Sequence, residues 1–161
     1  MTTALDDAAD LHLSERLCLA LYTASRAMTA RYRPSLSALG LTYPQYLVLV
    51  LLWEEGDCSV GHMGARLSLE SSTLSPLLKR MEATGLVTRT RALADERAVI
   101  VGLTGQGRAL KPRAAGIPAE ICEAAGMSLD EQRELVSQLH RLIGALKSSK
   151  EEPSSAKSCA I

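Results

Sequence analysis

The chain has 161 residues with 18 basic and 18 acidic side chains, so it is one domain in size, and its overall charge favours neither nucleic acid nor a membrane surface. Apolar residues make up 47%, aromatic residues only 3%, and phenylalanine is absent. The core must therefore be Leu, Val, Ala and Met, which suits packed helices better than a β-sandwich.

No apolar run is long enough to span a bilayer. The acidic start, MTTALDDAAD, lacks the basic and apolar regions of a secretory leader. A cytoplasmic location is expected. Thiols stay reduced there, so cysteines at 18, 58, 122 and 159 are not read as a disulfide framework. No CxxC occurs, and the Cys58/His62 pair has no second pair of matching spacing. No metal site and no cofactor are expected.

In chain order, residues 1–10 read as a flexible arm. Leu13, Leu17, Ala20, Leu21, Ala24 and Met28 recur at helical spacing, which predicts a first helix from about Leu11 to Ala30. Arg33-Pro34 restarts the chain, and a short helix, Ser35–Leu39, stops at Gly40. Thr42-Tyr43-Pro44-Gln45 is a capping box. The helix it opens, YPQYLVLVLLWEE, is apolar nearly all round and reads as the buried strut of the domain. Ser59 caps a short helix, Val60–Leu67, and Ser68-Leu69-Glu70 is a tight break. Then Leu74, Leu77, Leu78 and Met81 mark the inner face of another helix, closed by Gly85. Two such helices around a three-residue break form a helix-turn-helix. The period then changes to two. Leu86–Arg91 and Ala98–Leu103 read as strands of a hairpin around the polar loop Ala92–Arg97, which makes the winged form of the motif. Thr104 caps a helix through Gln106–Ala115, which Pro112 should kink or shorten. Pro118 opens another turn of helix holding Ile121 and Cys122. Ser128–Glu131 is a second capping box for a helix to about Lys147, with Leu135, Leu139, Leu142 and Leu146 in a coiled-coil-like stripe. Residues 148–161 are polar and read as a disordered tail.

The expected fold is mainly α with a small β-hairpin: one domain over 11–147, with a winged helix-turn-helix at about 42–103. The helices at about 11–40 and 104–147 are left to form a dimerisation region from both termini. The alternative is that their apolar stripes pack within one chain.

The second helix of the motif turns Ser71, Ser72, Thr73, Ser75, Pro76, Lys79 and Arg80 away from its apolar face. Short hydroxyls and helix N-terminal N–H groups bind phosphates and reach base edges, so this face suits a major groove. Read alone, it is equally a solvated surface. The hairpin adds Arg89, Arg91 and Arg97, and guanidinium groups at a wing tip suit a narrow minor groove. Between Ser71 and Arg97 five basic residues face three acidic ones. One copy would bind weakly, and a homodimer on a palindromic duplex doubles the contacts.

Cys18 lies on the first helix, beside the row Tyr22, Ser25, Thr29. From this helix alone it is more often a small core residue than a reactive thiol.

Several stretches together carry a resemblance: LCLALYTASR (17–26), YRPSLSALGLTYPQYLVLVLLWE (32–54), LSPLLKRMEATGLVTRTR (74–91) and DERAV (95–99). The chain resembles the MarR family of bacterial regulators over roughly residues 11–147, and within it the group of organic hydroperoxide resistance regulators. The resemblance implies a repressor of double-stranded operator DNA rather than an enzyme, with Cys18 as its peroxide-sensing thiol. It implies that Tyr32 and Tyr43 support that thiol across a dimer interface. It makes Arg97 a minor-groove reader oriented by Asp95. Cys122 falls where two-cysteine members carry a resolving cysteine. The expected inducer is an organic hydroperoxide, which the thiolate attacks to give a sulfenic acid that a second thiol condenses with. Two other functions fit parts of the pattern: a thiol peroxidase, and a regulator of the same family controlled by reversible binding of a small ligand. Glu70-Ser71-Ser72 departs from the commoner Asp-Ser-Gly of the family, and Cys58 and Cys159 match no family role.

Overall fold

The structure, a computed structural model, describes residues 12–91 and 98–148. A 3-10 turn at Leu13–Glu15 precedes α1 (Leu17–Ser37), α2 (Tyr43–Glu55), β1 (Cys58–Ser59), α3 (Val60–Leu67) and α4 (Ser71–Ala83). Then come β2 (Val87–Arg91), β3 (Val99–Leu103), α5 (Gly105–Ala114), α6 (Ile117–Ala125) and α7 (Leu129–Ser148). The predicted arm at 1–10, the wing loop 92–97 and residues 149–161 of the predicted tail lie outside the described residues. Ser148, assigned to that tail, is the last residue of α7. The chain forms two compact units, one ending at Ile121 and the other beginning at Cys122.

Helix α2 is the centre of the first unit. Tyr46, Val48, Leu49, Leu51 and Leu52 are all buried along it. Thr42 opens it as expected, its backbone N–H donating to Gln45 Oε1 at 2.8 Å. Gly56, at φ +79°, ends it. Neighbours fix it at its C-terminal end. Trp53 Nε1 donates to the carbonyl of Gly107 at 3.0 Å, and Lys111 Nζ donates to the carbonyl of Trp53 at 3.2 Å. Glu55 receives Arg66 Nε at 2.7 Å and lies 2.6 Å from His62 Nε2, which ties α2 to α3.

The helix-turn-helix forms where the pattern places it. Ser59 Oγ accepts from the His62 N–H at 3.1 Å to cap α3. Ser68, at φ +53°, makes the turn, and α4 starts at Ser71 with Leu74, Leu77, Leu78 and Met81 buried. Its end is a Schellman motif: Leu86 N–H reaches Met81 O and Gly85 N–H reaches Glu82 O, both at 2.9 Å, with Gly85 at φ +74°. The wing strands pair antiparallel from Val87↔Leu103 to Arg91↔Val99. A third strand was not expected: β1 pairs Cys58 with Val101 and Ser59 with Ile100, giving the order β1-β3-β2. Two residues are too few to carry a period of two.

The first helix differs from its predicted bounds. It begins at Leu17, because Arg16 is extended (φ −75°, ψ 114°) and separates it from the 3-10 turn. It also runs through Pro34 to Ser37 rather than restarting there. A proline removes one backbone donor, but its φ is helical. The turn it enters buries Leu36, at 1% exposure, in the core. Burial of such a side chain is worth about 1.5–3 kcal/mol, comparable with the cost of the proline. Pro112 likewise lies inside α5, which ends two residues later.

Thr104 joins three elements. Its hydroxyl donates toward the carbonyls of Gly85 at 2.6 Å and Leu86 at 3.1 Å, and accepts from the N–H of Gly107 at 3.0 Å. The end of α4, the base of the wing and the start of α5 meet there.

Two predictions follow from these contacts. A Cβ on Gly107 would sit 2.2 Å from the Leu86 carbonyl oxygen. Gly107→Ala should therefore lower stability by about 1–3 kcal/mol or more. Gly116→Ala, with nothing within 4 Å of its Cβ, should stay within about 0.5 kcal/mol of wild type; thermal melts of both compare them. The hydrogen bonds from His62 and Arg66 hold the Glu55 carboxyl below its ordinary value of 4.5. Its contribution is then present above pH 4.5 and is lost as pH falls through the lower folded-state value. Acid titration of stability should show a shallower fall for Glu55→Gln than for wild type.

Candidate redox and nucleic-acid site

Cys18 is the second residue of α1 and is exposed. It lies in the first turn, where helix N–H groups have no intrahelical carbonyl partners. The apolar residues around it are also on the surface: Leu13 is 69% and Leu17 57% exposed, and Met28, further along the face, is exposed too. On the same helix Tyr22 accepts a hydrogen bond from Arg26 Nη1 at 3.0 Å, and the guanidinium lies 5.5 Å from the ring centroid.

Tyr32 and Tyr43 are brought together. Tyr32 lies in the C-terminal half of α1 and Tyr43 is the first residue of α2, and their ring centroids are 4.9 Å apart. Tyr46 lies 5.9 Å from Tyr32 and 6.5 Å from Tyr43, and Trp53 meets Tyr46 edge-on at 6.3 Å. Burial raises the pKa of Tyr43 above its ordinary 10.0. Tyr46 is raised by burial first, then by Tyr43 and Glu54. Both hydroxyls therefore stay protonated at neutral pH and remain able to donate.

The structure does not bring Cys18 to these tyrosines within one chain. α1 is continuous between Cys18 and Tyr32. At 1.5 Å per residue their backbones lie about 21 Å apart along it, beyond side-chain reach.

Cys122 lies on α6, half-buried, and its Sγ donates to Gln132 Oε1 on α7 at 2.7 Å. Cys58 is half-buried on β1, and burial, then Glu55 and Asp57, push its thiol pKa above the ordinary value. That surrounding favours an inert neutral thiol. Cys159 lies outside the described residues.

On α4 all the predicted contact residues are exposed: Ser71, Ser72, Thr73, Ser75, Pro76, Lys79 and Arg80. Glu70 occupies the N-cap position with no side-chain cap. Of the wing arginines, Arg91 is exposed, whereas Arg89 is half-buried with its Nε 3.5 Å from Glu82 Oε2. That Nε is buried and makes no hydrogen bond among the described residues. Arg89 therefore ties the wing to α4 as well as adding charge. Asp95 and Arg97 lie outside the described residues. Between the starts of α3 and α4 and the wing is an open groove of about 480 Å³, lined by Ser59, Ser71, Ser75 and Arg89 among others.

Sequence reasoning assigned Tyr46 only to the core of the strut and did not single out Glu82 or Gln132. The spacing Tyr43-x-x-Tyr46, three residues apart on a helix, was the available signal for the aromatic cluster. Glu82 and Gln132 carry no local pattern, because each is defined by a partner on another element.

No described helix is long and apolar enough to cross a membrane, and no group of described His, Cys, Asp or Glu residues is arranged to hold a metal ion.

Residues 30–113 match the family described as transcriptional regulator SarA/Rot. The organic hydroperoxide resistance transcriptional regulator of Bacillus subtilis (strain 168) is 46% identical over 136 residues, covering 84% of this chain and 92% of that protein. The structure of reduced AbfR bound to DNA has a TM-score of 0.69 at 34% identity, over 83% of this chain and 94% of that one. AbfR, from Staphylococcus epidermidis, is also known in a disulfide-formed state, with a TM-score of 0.57 at 34% identity over 88% and 99%. The winged module on which α4 and the β2-β3 hairpin converge is thus shared across nearly the whole folded length, and the chain belongs to the MarR family of winged-helix transcriptional regulators, among the relatives of the organic hydroperoxide resistance regulators.

Proposed function

We propose that this protein is a homodimeric repressor that releases a palindromic operator when an organic hydroperoxide oxidises Cys18. The observation that carries this reading is the separation on α1. Tyr32 and Tyr43 form a close pair of rings, yet Cys18 lies about 21 Å from Tyr32 along the same helix. A second copy running the other way brings its tyrosine pair to this chain's thiol. The exposed apolar face around Leu13, Leu17 and Met28 is a suitable surface for that copy. α7 supports the same reading, with Leu135 and Leu146 exposed and Leu139 and Leu142 half-buried.

The chemistry runs in two steps. The Cys18 thiolate attacks one peroxide oxygen. The O–O bond breaks, an S–O bond forms, and the alkoxide leaves as the alcohol after taking up a proton, so sulfur is oxidised and the peroxide reduced. Tyrosine hydroxyls that donate to a thiolate favour its charged form. Cys122 then attacks the sulfenic sulfur, forming an S–S bond and releasing water. To do so Cys122 must leave Gln132. The apolar surround of Leu17 and Leu21 favours lipid-like organic hydroperoxides over hydrogen peroxide. AbfR supports a thiol-based reading, since it has both a disulfide-formed state and a reduced DNA-bound one.

For DNA, the exposed hydroxyls and N-terminal N–H groups of α4 meet the major groove, Lys79 and Arg80 neutralise phosphates, and the wing with Arg89, Arg91 and Arg97 reaches the minor groove, Asp95 orienting Arg97.

Gel shifts on a palindromic duplex selected from random sequence test the whole scheme. Reduced wild type should bind, organic-hydroperoxide-treated wild type should release, and Cys18→Ser should bind throughout. A peroxide response retained in Cys18→Ser sinks the sensor role and favours reversible ligand control. Multiple-turnover peroxide consumption without DNA binding favours a thiol peroxidase. Cys122→Ser should release DNA only when a small thiol is added; full reversible release without one removes the resolving role. Lys79→Ala should weaken binding to all duplexes alike and lower the slope of log affinity against log salt by about 1.

A further inference from the structure

Tyr46 is nearly fully buried, at 6% exposure, and belongs to the core of α2. Its ring stands against both tyrosines of the candidate sensor. Its ring centroid lies 5.9 Å from that of Tyr32 on α1 and 6.5 Å from that of Tyr43 on its own helix, each pair tilted by 41°. Behind it Trp53 packs edge-on at 6.3 Å and is itself fixed by its hydrogen bond to the Gly107 carbonyl. The half-buried rings of Tyr32 and Tyr43 thus rest on a ring that cannot move without disturbing the core.

We infer that Tyr46 is a positioning residue for peroxide sensing: its ring sets the spacing and tilt of Tyr32 and Tyr43, and so the aim of their hydroxyls at the thiol of a second copy. This rests on the reading of the tyrosine pair as thiol support. Tyr32 and Tyr43 come from different helices, so their 4.9 Å spacing and 56° tilt are not fixed by either helix alone. A third ring in contact with both fixes them. The group that matters is the ring and not the hydroxyl, since aromatic contacts act through face and edge. Burial also keeps the Tyr46 hydroxyl protonated, so no charge develops beneath the pair.

The test is the second-order rate constant for oxidation of Cys18 by an organic hydroperoxide in full-length protein, read by trapping the sulfenic acid, with reduced-state DNA binding measured alongside. Tyr46→Phe should stay within about twofold of wild type, and Tyr46→Leu and Tyr46→Met should fall by about tenfold or more while still binding DNA when reduced, since small misplacements of reacting partners are costly. In a Tyr32→Phe, Tyr43→Phe background, Tyr46→Leu should cause no further loss, because it acts through hydroxyls already removed. An unchanged rate in Tyr46→Leu overturns the positioning role alone. So does an equal loss in the double-Phe background, which marks a general structural effect. If Tyr46→Leu and Tyr46→Met both fail to bind DNA when reduced, Tyr46 holds the fold rather than the pair and the inference falls. If Tyr32→Phe with Tyr43→Phe itself reacts at the wild-type rate, the thiol-support reading fails, and this inference with it.

Discussion

The burial of α2 is the constraint on which the rest of the molecule depends. A helix that is apolar all round is stable only when other elements cover every side of it. Here α1 meets it through the tyrosines, α3 through Glu55, and α5 through Trp53 and Lys111. The sequence of α2 therefore dictates more than its own conformation. It requires neighbours, and the chain before and after it supplies them. Tyr43 at one end and Trp53 near the other end belong to the same rod, so the aromatic cluster and the base of the DNA-reading module share a rigid support.

The fold was largely legible because its signals are local. Capping boxes at Thr42 and Ser128, the cap at Ser59, the break at Ser68 and the stop at Gly85 each need only a few neighbouring residues to act. The change of period after Gly85 marked the wing. The errors have the same explanation reversed. Pro34 reads locally as a restart, but burial of Leu36 keeps the helix going, and β1 exists only because β3 lies beside it. The candidate site was legible mainly through resemblance. Composition and spacing gave Cys18 no distinction from a packed thiol. The pairing of Tyr32 with Tyr43 depends on two helices meeting, and the contacts of Arg89 with Glu82 and of Cys122 with Gln132 depend on partners that no periodicity announces.

A neutral chain can still bind DNA if its charge is sorted locally. The polar face of α4 and the wing gather basic groups, while Glu82 draws one of them, Arg89, back against α4. That contact reduces the free charge of the wing but fixes its inclination to the helix. An arginine shared between the wing and α4 helps to set the angle between them.

The scarcity of aromatic residues has a further consequence. Of four tyrosines and one tryptophan, only Tyr22 stands outside the cluster of Tyr32, Tyr43, Tyr46 and Trp53. Near-ultraviolet absorption, circular dichroism and fluorescence of this protein therefore originate almost entirely from one locus, with tyrosine donors within about 7 Å of a single indole acceptor or linked to it through Tyr46. The chain carries its own optical probe where α1 and α2 meet, on the rod that also supports the winged module, without any label.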